Sequence, residues 1–559
     1  METASRKKLV TLIVIGILFV AAFVRLFRIT AVDVTTDEAL IGVRSIGYLD
    51  FMASPTQKTP PEWYDPEPAP AWTKLSFHDH PPLTFLLQHL SFKIFGENLI
   101  GLRAIFVLAG IASVWLAFFI GRKLFSETAG LLAAGLLALS AAHTVISRIG
   151  LQESLGIFFV LLAFYFFLRT LEEPRWWLAF GAAVGGGILV KYTTLFYLPA
   201  LFVYLLLFRR DVFRKNWLWL GAALAVLLAS PVILYNFFLF QKSGHFDLQL
   251  SYLLKQPTPE WTYLLGKVQI GTFTERLKNF PSRLLDVHSV PTLLFAIFAL
   301  IWAVIRRGRQ WTLFILVVAA LTGLLFVVGP QQRFIAMYAP FFALGIGALG
   351  RELFRLRASW LRVLLIVIAG LWILYEGYFL RNTVLTFDVP GKIGRDFARM
   401  KFEAFSTGYV GLNTYLDERL GSRWPAVRLA QKYVFLERMN VAAVERAAAA
   451  GKEGEALLVI MDENVWNLAG FWTFTRRSIY QGWPILLSRD FIESGGAGFY
   501  AAKGFEKFLF VRAAEGALQE SSRTSAPEIL EKRFIENKVK PVKEILNPFG
   551  GVAFRVYEL

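Results

Sequence analysis

The sequence contains no cysteine, which excludes disulfide bonds and cysteine-ligated zinc and leaves the redox compartment undetermined. Charged residues are also scarce, at 18% of 559 residues, whereas hydrophobic residues make up 55%. A soluble domain seldom has this balance. The chain is therefore expected to carry repeated apolar segments rather than one polar surface around a single core.

Apolar runs approaching 20 residues recur along the sequence, and this is the length that an α-helix needs to cross a bilayer. They predict an α-helical polytopic membrane protein with about eleven transmembrane helices. The predicted spans are 9–28, 98–121, 128–147, 152–168, 176–190, 192–208, 216–239, 290–305, 311–329, 334–350 and 360–380.

The net charge of +17 does not indicate nucleic-acid binding, because the basic residues form no single face or tail. They recur in short clusters between the apolar runs, and with these spans every cluster falls on one side of the membrane. The positive-inside rule makes that side, and the N-terminus, cytoplasmic. The N-terminal run follows basic residues but lacks a small-residue cleavage site, so we interpret it as an uncleaved first helix.

The outer side is expected to hold two long connections, 29–97 and 240–289, and a C-terminal domain. Residues 240–289 mix aromatic and charged residues, which predicts helices along the interface. The domains are predicted as a transmembrane catalytic domain over 1–380 and an extracytoplasmic α/β domain over 381–559. The tail's predicted elements are strands 408–412, 456–461, 507–512 and 552–557 and a helix over 423–437.

Four basic residues fall at the outer ends of the predicted spans, against the positive-inside bias. A basic side chain inside a span costs about 2.5–3.5 kcal/mol, so such residues often mark a function. An anionic ligand such as a lipid-linked phosphate would require them. In the alternative interpretation Arg148 pairs with Glu153 and the others extend to the membrane surface. The four residues are Arg103, Arg148, Lys191 and Arg333.

Asp37 and Glu38 follow the first predicted span. A carboxylate beside the membrane could act as a general base that deprotonates an acceptor hydroxyl. Alternatively, the pair could begin a short helix that Thr35 or Thr36 caps.

His78, Asp79 and His80 precede the second predicted span and could, with Asp37 and Glu38, bind a divalent metal or the acceptor. Glu153 belongs to the same group of candidate metal or acceptor ligands. In an extended segment the two histidines would share one face. The identity of the metal is unknown from the sequence, and no cofactor is certain.

These features occur in an order that resembles the GT-C membrane glycosyltransferases, in the group of the protein O-mannosyltransferases and aminoarabinose transferases. The resemblance extends over residues 9–350 and is weak or absent over 381–559. The residues that carry it are Asp37-Glu38, His80-Pro81-Pro82-Leu83, Leu102-Arg103, Gly121-Arg122-Lys123-Leu124-Phe125, Ser140-Ala141-Ala142-His143, Ser147-Arg148 with Glu153, Lys191, and Gln332-Arg333-Phe334.

The resemblance implies an inverting enzyme that moves a sugar from a polyprenyl-phosphate carrier to an acceptor outside the cytoplasm. Asp37 would be the catalytic base with Glu38 beside it, and Lys191, Arg148 and Arg333 would stabilise the phosphate charge. The expected partners are the lipid-linked donor, membrane lipid and a protein, lipid or glycan acceptor, without nucleic acid. A membrane transporter and a non-catalytic binder of lipid-linked sugar are the alternatives.

Overall fold

The computed structural model describes residues 2–261, 271–353, 359–387, 396–519 and 523–559. The chain divides into two compact units. The first unit comprises Met1–Ile29 and Ala71–Phe402, and the second comprises Thr30–Pro70 and Glu403–Leu559. Residues 30–70, which carry Asp37 and Glu38, are thus grouped with the C-terminal tail.

The first unit is built from α-helices. The predicted helices within 240–289 are present at Leu248–Leu254 and Phe273–Val287, while 262–270 lie outside the described residues. The helices are Glu2–Leu26, Leu83–Phe95, Leu99–Leu124, Glu127–Leu139, Ala141–Arg148, Gln152–Thr170, Trp176–Val190, Leu198–Phe208, Asn216–Ser243, Leu248–Leu254, Phe273–Val287, Val290–Arg306, Arg309–Val328, Gln332–Ile335, Ala339–Leu353 and Ser359–Leu380.

Among the described residues, seven helices are long and apolar enough to cross a membrane, and the protein is an integral membrane protein. Glu127–Leu139 and Ala141–Arg148 make an eighth span if this pair, bent by 59°, is counted as one. The predicted count of eleven is not confirmed. The remaining predicted spans, 176–190, 192–208 and 290–305, correspond to apolar helices of only 10–17 residues.

Two glycine residues permit a close contact between two helices that border the apolar groove of the candidate site. A Cβ atom on Gly181 would lie 2.0 Å from the carbonyl oxygen of Gly221, so neither position has room for a larger residue. The backbones of the helices Trp176–Val190 and Asn216–Ser243 therefore approach each other directly at this level.

The second unit is an α/β domain, as predicted. Its five-stranded sheet has the order β4-β3-β5-β7-β6, in which β3 is parallel to β4 and β5, and β7 is antiparallel to β5 and β6. A separate parallel pair joins β1 and β2. The strands are β1 Arg423–Pro425, β2 Glu453–Glu455, β3 Leu457–Met461, β4 Ile485–Leu487, β5 Lys507–Ala513, β6 Lys543–Leu546 and β7 Val552–Glu558.

α-Helices pack against this sheet. Leu412 and Leu416 of the helix Tyr409–Gly421 pack with Val459 and Leu509 in a fully buried core. The α-helices of this unit are Asp37–Gly47, Pro60–Tyr64, Tyr409–Gly421, Val434–Ala449, Asn467–Gly470, Arg476–Gln481, Ser488–Glu493, Gly496–Ala501 and Ala526–Glu536.

Three of the predicted tail strands are confirmed as β3, β5 and β7, but the strand predicted over 408–412 is wrong. A helix begins there at Tyr409, because the Asp33 carboxylate accepts hydrogen bonds from the backbone N–H groups of Gly408 and Val410. A distant acid thus caps this helix.

The helix predicted over 423–437 is also wrong over most of its length. Residues Arg423–Pro425 form β1 and pair with β2, and the helix begins only at Val434. The Asp65 carboxylate accepts hydrogen bonds from the N–H groups of Val434 and Phe435 and so fixes that start.

Candidate functional site

Two of the four predicted cations meet at one carboxylate in the first unit. Lys191 Nζ lies 2.7 Å from Glu153 Oε1, and Arg333 Nε lies 3.7 Å from the same oxygen. Glu153 is 3% exposed, whereas the side chains of Lys191 and Arg333 are 15% and 29% exposed. The three side chains carry a net charge of +1, and the accessible part of the cluster is cationic.

Phe334 places an aromatic ring against both cations. Lys191 Nζ lies 4.7 Å from the ring centroid, and the Arg333 guanidinium carbon lies 5.5 Å from it. Both separations are within the range of cation–π attraction. Because Lys191 ends the helix Trp176–Val190 and Arg333 belongs to the short helix Gln332–Ile335, the cluster joins two distant parts of the sequence.

Arg148 is buried and does not form the predicted alternative pair with Glu153. Its Nη1 atom donates to the carbonyl oxygens of Val24 and Arg25, at 2.8 and 3.2 Å, and Nη2 donates to Arg28 at 3.4 Å. These carbonyls belong to the end of the first helix, whose last turn has no following N–H donors. Arg148 therefore satisfies that helix end.

Arg103 acts on the same stretch of chain. It is fully buried, and its Nη1 atom donates to the carbonyl oxygen of Ile29 at 2.6 Å. Together, Arg103 and Arg148 hold the segment from Val24 to Ile29, which leads into the loop that carries Asp37.

A third buried arginine in this region was missed by the sequence analysis. Arg25 Nη2 lies 2.8 Å from His143 Nδ1, and its Nε donates to Ser147 Oγ at 3.2 Å. His143 and Ser147 were recognised only as parts of motifs. The available signal was Arg25 itself, a basic residue at the outer end of the first predicted span.

Asp37 and Glu38 form the first turn of the helix Asp37–Gly47 in the second unit. The Thr36 hydroxyl accepts a hydrogen bond from the N–H of Glu38 at 3.4 Å, so the predicted cap is present. Asp37 is partly exposed, whereas Glu38 is buried. Asp37 is therefore the more accessible of the two acids at this capped helix start.

The C-terminal part of the second unit holds this helix on both sides. Before it, Asp33 accepts hydrogen bonds from the N–H groups of Thr407, Gly408 and Val410, at 2.6, 3.1 and 2.7 Å. Near its end, the Tyr480 hydroxyl donates to the carbonyl oxygen of Val43 at 2.7 Å. The position of Asp37 within the second unit therefore depends on residues more than 350 positions away.

His78, Asp79 and His80 lie in the first unit, in a turn rather than an extended segment. The N–H of Phe77 donates to the carbonyl oxygen of His80 at 3.3 Å, which closes a turn. Within it, the Asp79 carboxylate lies between the two imidazoles, with Oδ1 3.8 Å from His78 Nδ1 and Oδ2 3.0 Å from His80 Nδ1.

A large apolar groove lies between the helices Trp176–Val190 and Asn216–Ser243 in the first unit. Its volume is about 760 Å³, and apolar residues such as Phe180, Val184 and Val226 line it. Its polar lining residues are Tyr192 and Asn236, which both hydrogen-bond to the Asp247 carboxylate. Tyr192 directly follows Lys191, so this part of the groove lies close to the cationic cluster in sequence.

The predicted site residues thus form separate groups. Lys191, Arg333 and Glu153 come together, Arg103 and Arg148 hold one stretch of backbone, and the histidines flank Asp79. Asp37 and Glu38 belong to the other unit, so their convergence with the cations stays a prediction.

Comparison with known proteins supports the resemblance seen in the motifs. The family described as dolichyl-phosphate-mannose-protein mannosyltransferase matches residues 79–235. That segment includes Asp79, His80, Arg103, Arg148, Glu153 and Lys191.

A relative from Pseudomonas savastanoi pv. phaseolicola is the undecaprenyl phosphate-alpha-4-amino-4-deoxy-L-arabinose arabinosyl transferase. It is 30% identical over 170 residues, which are 29% of this chain and 32% of the relative. A protein of Aquifex aeolicus is 28% identical over 237 residues, 41% of this chain and 44% of the relative. The chain thus matches less than half the length of these curated relatives.

Solved structures match almost the whole chain. ArnT from Cupriavidus metallidurans in the apo state has a TM-score of 0.54 at 13% identity and covers 100% of this chain and 98% of its own. The oligosaccharyltransferase AglB from Archaeoglobus fulgidus has a TM-score of 0.51 at 13% identity and covers 98% and 74%. These comparisons confirm the predicted resemblance, and the chain has the fold of ArnT and AglB, which is the predicted GT-C fold.

Proposed function

We propose that the chain is an inverting glycosyltransferase that moves one sugar from a polyprenyl-phosphate carrier to an acceptor outside the cytoplasm. The observation that carries this proposal is the cluster of Lys191, Arg333 and Glu153 in a chain with the GT-C fold. Related structures support the class of donor, because ArnT was solved with undecaprenyl phosphate and AglB with a dolichol-phosphate.

Lys191 and Arg333 are proposed to bind the donor phosphate. A sugar-phosphate diester carries one negative charge, which matches the net charge of +1 on the cluster. When the glycosidic bond breaks, a second negative charge develops on the leaving phosphate. Two cations already held in place by Glu153 and Phe334 would stabilise that charge without reorganisation. Arg333 could also grip two phosphate oxygens through its planar guanidinium group.

Arg148 and Arg103 are proposed to favour donor binding through their positive charge and through the backbone that they hold in place, more than through direct contact with the phosphate. Their guanidinium groups donate to backbone carbonyls at the end of the first helix. They keep two positive charges in the membrane unit and fix the residues that lead toward Asp37. Either effect would favour an anionic donor.

The apolar groove is proposed to hold the polyprenyl chain. Its lining suits an isoprenoid, because apolar side chains offer such a chain van der Waals contacts in place of those with lipid. Tyr192 and Asn236 mark its polar part. Because Lys191 precedes Tyr192, a carrier in this groove would have its phosphate directed to the cationic cluster.

Asp37 is proposed to be the general base, with Glu38 beside it. The carboxylate would take the proton of the acceptor hydroxyl as that oxygen attacks the anomeric carbon opposite the phosphate. The new carbon–oxygen bond forms as the bond to phosphate breaks, which inverts the anomeric configuration. Polyprenyl phosphate leaves as a stable anion, so protonation of the leaving group is not required.

His78, Asp79 and His80 are also proposed to bind a divalent metal. Imidazole nitrogens on both sides of one carboxylate are a donor set that suits zinc or a similar ion. Such an ion would supply positive charge to an acceptor or phosphate oxygen. Without it, the Asp79 carboxylate lies between the two imidazoles, 3.8 Å from His78 Nδ1 and 3.0 Å from His80 Nδ1.

The orientation is also part of the proposal. The basic clusters favour a cytoplasmic N-terminus. The proposed boundary between the transmembrane domain and the extracytoplasmic domain is residue 380, where the last predicted span ends. That domain carries the elements that hold Asp37, and it could also bind the acceptor, which is a protein, a lipid or a glycan.

The test is a transfer assay on the full chain in bilayers. Reconstituted protein is incubated with radiolabelled polyprenyl-phosphate sugars, and sugar release, transfer and carrier binding are measured separately. We expect free polyprenyl phosphate to appear together with a glycosylated product, and turnover but not binding to disappear in Asp37→Asn. Binding without sugar release from any donor would instead identify a binder, and vectorial movement of intact donor would identify a transporter.

A further inference from the structure

A second cavity in the first unit is lined by none of the residues proposed for catalysis. Helix ends surround it, and it has about 30 Å³ of space open to water-sized molecules. Its lining includes Ser140 at the bend between two helices, His288 and Ser289 directly before the helix Val290–Arg306, and Glu376 in the helix Ser359–Leu380. Most of the other lining residues are apolar.

Glu376 presents one carboxylate oxygen to donors and leaves the other for the cavity. Its Oε1 atom accepts hydrogen bonds from Thr292 Oγ1 at 2.8 Å, from Trp372 Nε1 at 2.9 Å and from the Ser289 hydroxyl. Among the described residues, Oε2 has no hydrogen-bond or ion-pair partner, and it is not among the polar atoms sealed from solvent. Because Glu376 is 93% buried, the space that Oε2 reaches is the cavity.

The Glu376 carboxylate is held by neutral groups only. Three uncharged donors stabilise an anion less than a cation does, and a carboxylate within a membrane-spanning helix is costly without one. No Lys or Arg lines the cavity among the described residues. A bound cation would balance the negative charge of the Glu376 carboxylate when that group is ionised.

His288 supplies a second acceptor. Its Nε2 atom lies 3.3 Å from the carbonyl oxygen of Ile335. A carbonyl can only accept, so Nε2 carries the proton and Nδ1 keeps its lone pair. Among the described residues Nδ1 has no partner and is not sealed from solvent, although the side chain is 95% buried.

Three of the remaining polar groups of the lining donate to the same carboxylate, and the Ser140 hydroxyl accepts a hydrogen bond from the N–H of His143. Ser289, Thr292 and Trp372 direct their hydrogens to Glu376 Oε1, while the hydroxyl oxygens keep lone pairs. The cavity thus offers a carboxylate oxygen, an imidazole nitrogen and hydroxyl oxygens. This set matches a metal ion rather than an anion or a hydrogen-bond acceptor.

We propose that this cavity binds a divalent transition-metal ion of the zinc class through Glu376 Oε2 and His288 Nδ1. Its volume accommodates one ion and a water molecule, since a water needs about 10–15 Å³ of such space. Imidazole coordination favours zinc or a similar ion over Mg²⁺ and Ca²⁺, which prefer oxygen ligands. The ion would join the segment before Val290–Arg306 to the helix Ser359–Leu380 and stabilise their packing.

The test uses the full chain in detergent, stripped of metal with a chelator and titrated with Zn²⁺, and with Mg²⁺ as the oxygen-seeking control. Bound metal is counted by elemental analysis after gel filtration, and thermal unfolding is followed in parallel. Glu376→Gln is the sharpest variant, because its amide oxygen can still accept the three donors while its –NH₂ group faces the cavity. His288→Ala removes the nitrogen ligand. His89→Ala is the matched control, since His89 belongs to neither candidate metal cluster.

We expect Glu376→Gln and His288→Ala each to bind one Zn²⁺ equivalent fewer than the wild type, and His89→Ala to bind as much as the wild type. Zinc should raise the Tm of the wild type and of His89→Ala by several degrees more than that of the other two variants. Unchanged zinc stoichiometry and affinity in His288→Ala would overturn the proposal, as would the absence of zinc binding to the wild type. Circular dichroism and gel filtration establish that each variant is folded, and His288→Ala decides alone if Glu376→Gln is not.

Discussion

Lys191 Nζ lies 2.7 Å from Glu153 Oε1, and this ion pair fixes a cation at the end of an apolar helix. Arg333 Nε lies 3.7 Å from the same oxygen, so one carboxylate forms ion pairs with two cations. A buried acid with two basic neighbours leaves positive charge in excess. An incoming phosphate could engage both cations while Glu153 keeps them in place, which is the preorganisation that charge stabilisation requires.

The substitution Lys191→Ala should weaken donor binding by about tenfold or more, because a charge-assisted hydrogen bond contributes about 1.5–3 kcal/mol. Isothermal titration of the detergent-solubilised chain with a polyprenyl-phosphate sugar measures the effect. Lys123→Ala is the matched control, since Lys123 pairs with Glu172 at 2.5 Å near the end of another apolar helix. An equal loss in both variants would mean that general charge, rather than the Glu153 cluster, attracts the donor.

Arg148→Lys should lower the stability of the protein by about 2–3 kcal/mol, although the charge is kept. A lysine cannot reproduce the planar fork that reaches the carbonyl oxygens of Val24, Arg25 and Arg28. Thermal unfolding of the full chain in detergent measures the change, with the exposed Arg122→Lys as its control. If Arg148→Lys is as stable as wild type but binds donor poorly, Arg148 acts as a direct phosphate ligand instead.

Local sequence patterns were sufficient to predict several parts of the site. The Thr36 cap needs only residues two positions apart, and the apolar runs before Lys191 and Arg333 placed these cations at helix ends. Apolar character alone did not decide which runs are long enough to span. The helices Trp176–Val190 and Val290–Arg306 are as apolar as predicted but contain only 15 and 17 residues.

The contacts that sequence could not supply are those between distant residues. Asp33 is an isolated acid in the sequence, and nothing near it indicates that it caps a helix beginning at Tyr409. Without that cap, the apolar residues of 408–412 suggested a strand. Likewise, the carbonyl partners of Arg148 are backbone atoms of another helix, which no residue type reveals.

Asp37→Asn should lower kcat by about 10²–10⁴-fold, the usual contribution of a general base, with donor affinity unchanged. Asparagine keeps the shape of the side chain but cannot accept the proton. Single-turnover transfer by the reconstituted chain measures the rate, and titration measures the affinity. Glu67→Gln is the control, because Glu67 is an exposed acid of the same connection. Near-normal turnover in Asp37→Asn would assign the base to another residue.

Asp33→Ala should reduce kcat at unchanged donor affinity, because Asp33 does not itself react but positions the segment before Asp37. Its carboxylate accepts from Thr407, Gly408 and Val410, and alanine leaves these N–H groups without that partner. Asp33→Asn keeps one acceptor oxygen and should restore part of the rate. The pH profile should keep its shape in both variants, since the base is intact; a shifted profile would instead indicate that Asp33 takes part in proton transfer.

Glu455→Gln should destabilise the second unit at neutral pH by about 1–3 kcal/mol. Hydrogen bonds from Arg419, at 2.7 and 2.9 Å, and further contacts with Arg423 and Lys507 lower the pKa of the Glu455 carboxyl well below its ordinary value of 4.5. A depressed pKa means that the folded protein binds the proton less readily than the unfolded chain. The stabilisation is therefore complete above about pH 4.5 and is lost as the pH falls below that value.

The pH series tests this assignment directly. Thermal unfolding of the full chain in detergent at pH 7, 5, 4 and 3 should show a constant difference between wild type and Glu455→Gln at the first two values and a shrinking one below. Glu418→Gln, at an exposed position of the same helix as Arg419, should match wild type throughout. A difference that persists undiminished at pH 3 would mean that the substitution acts through packing. At that pH, Glu455 of the unfolded chain is protonated, and the loss of this proton on folding should offset part of the ionic contribution.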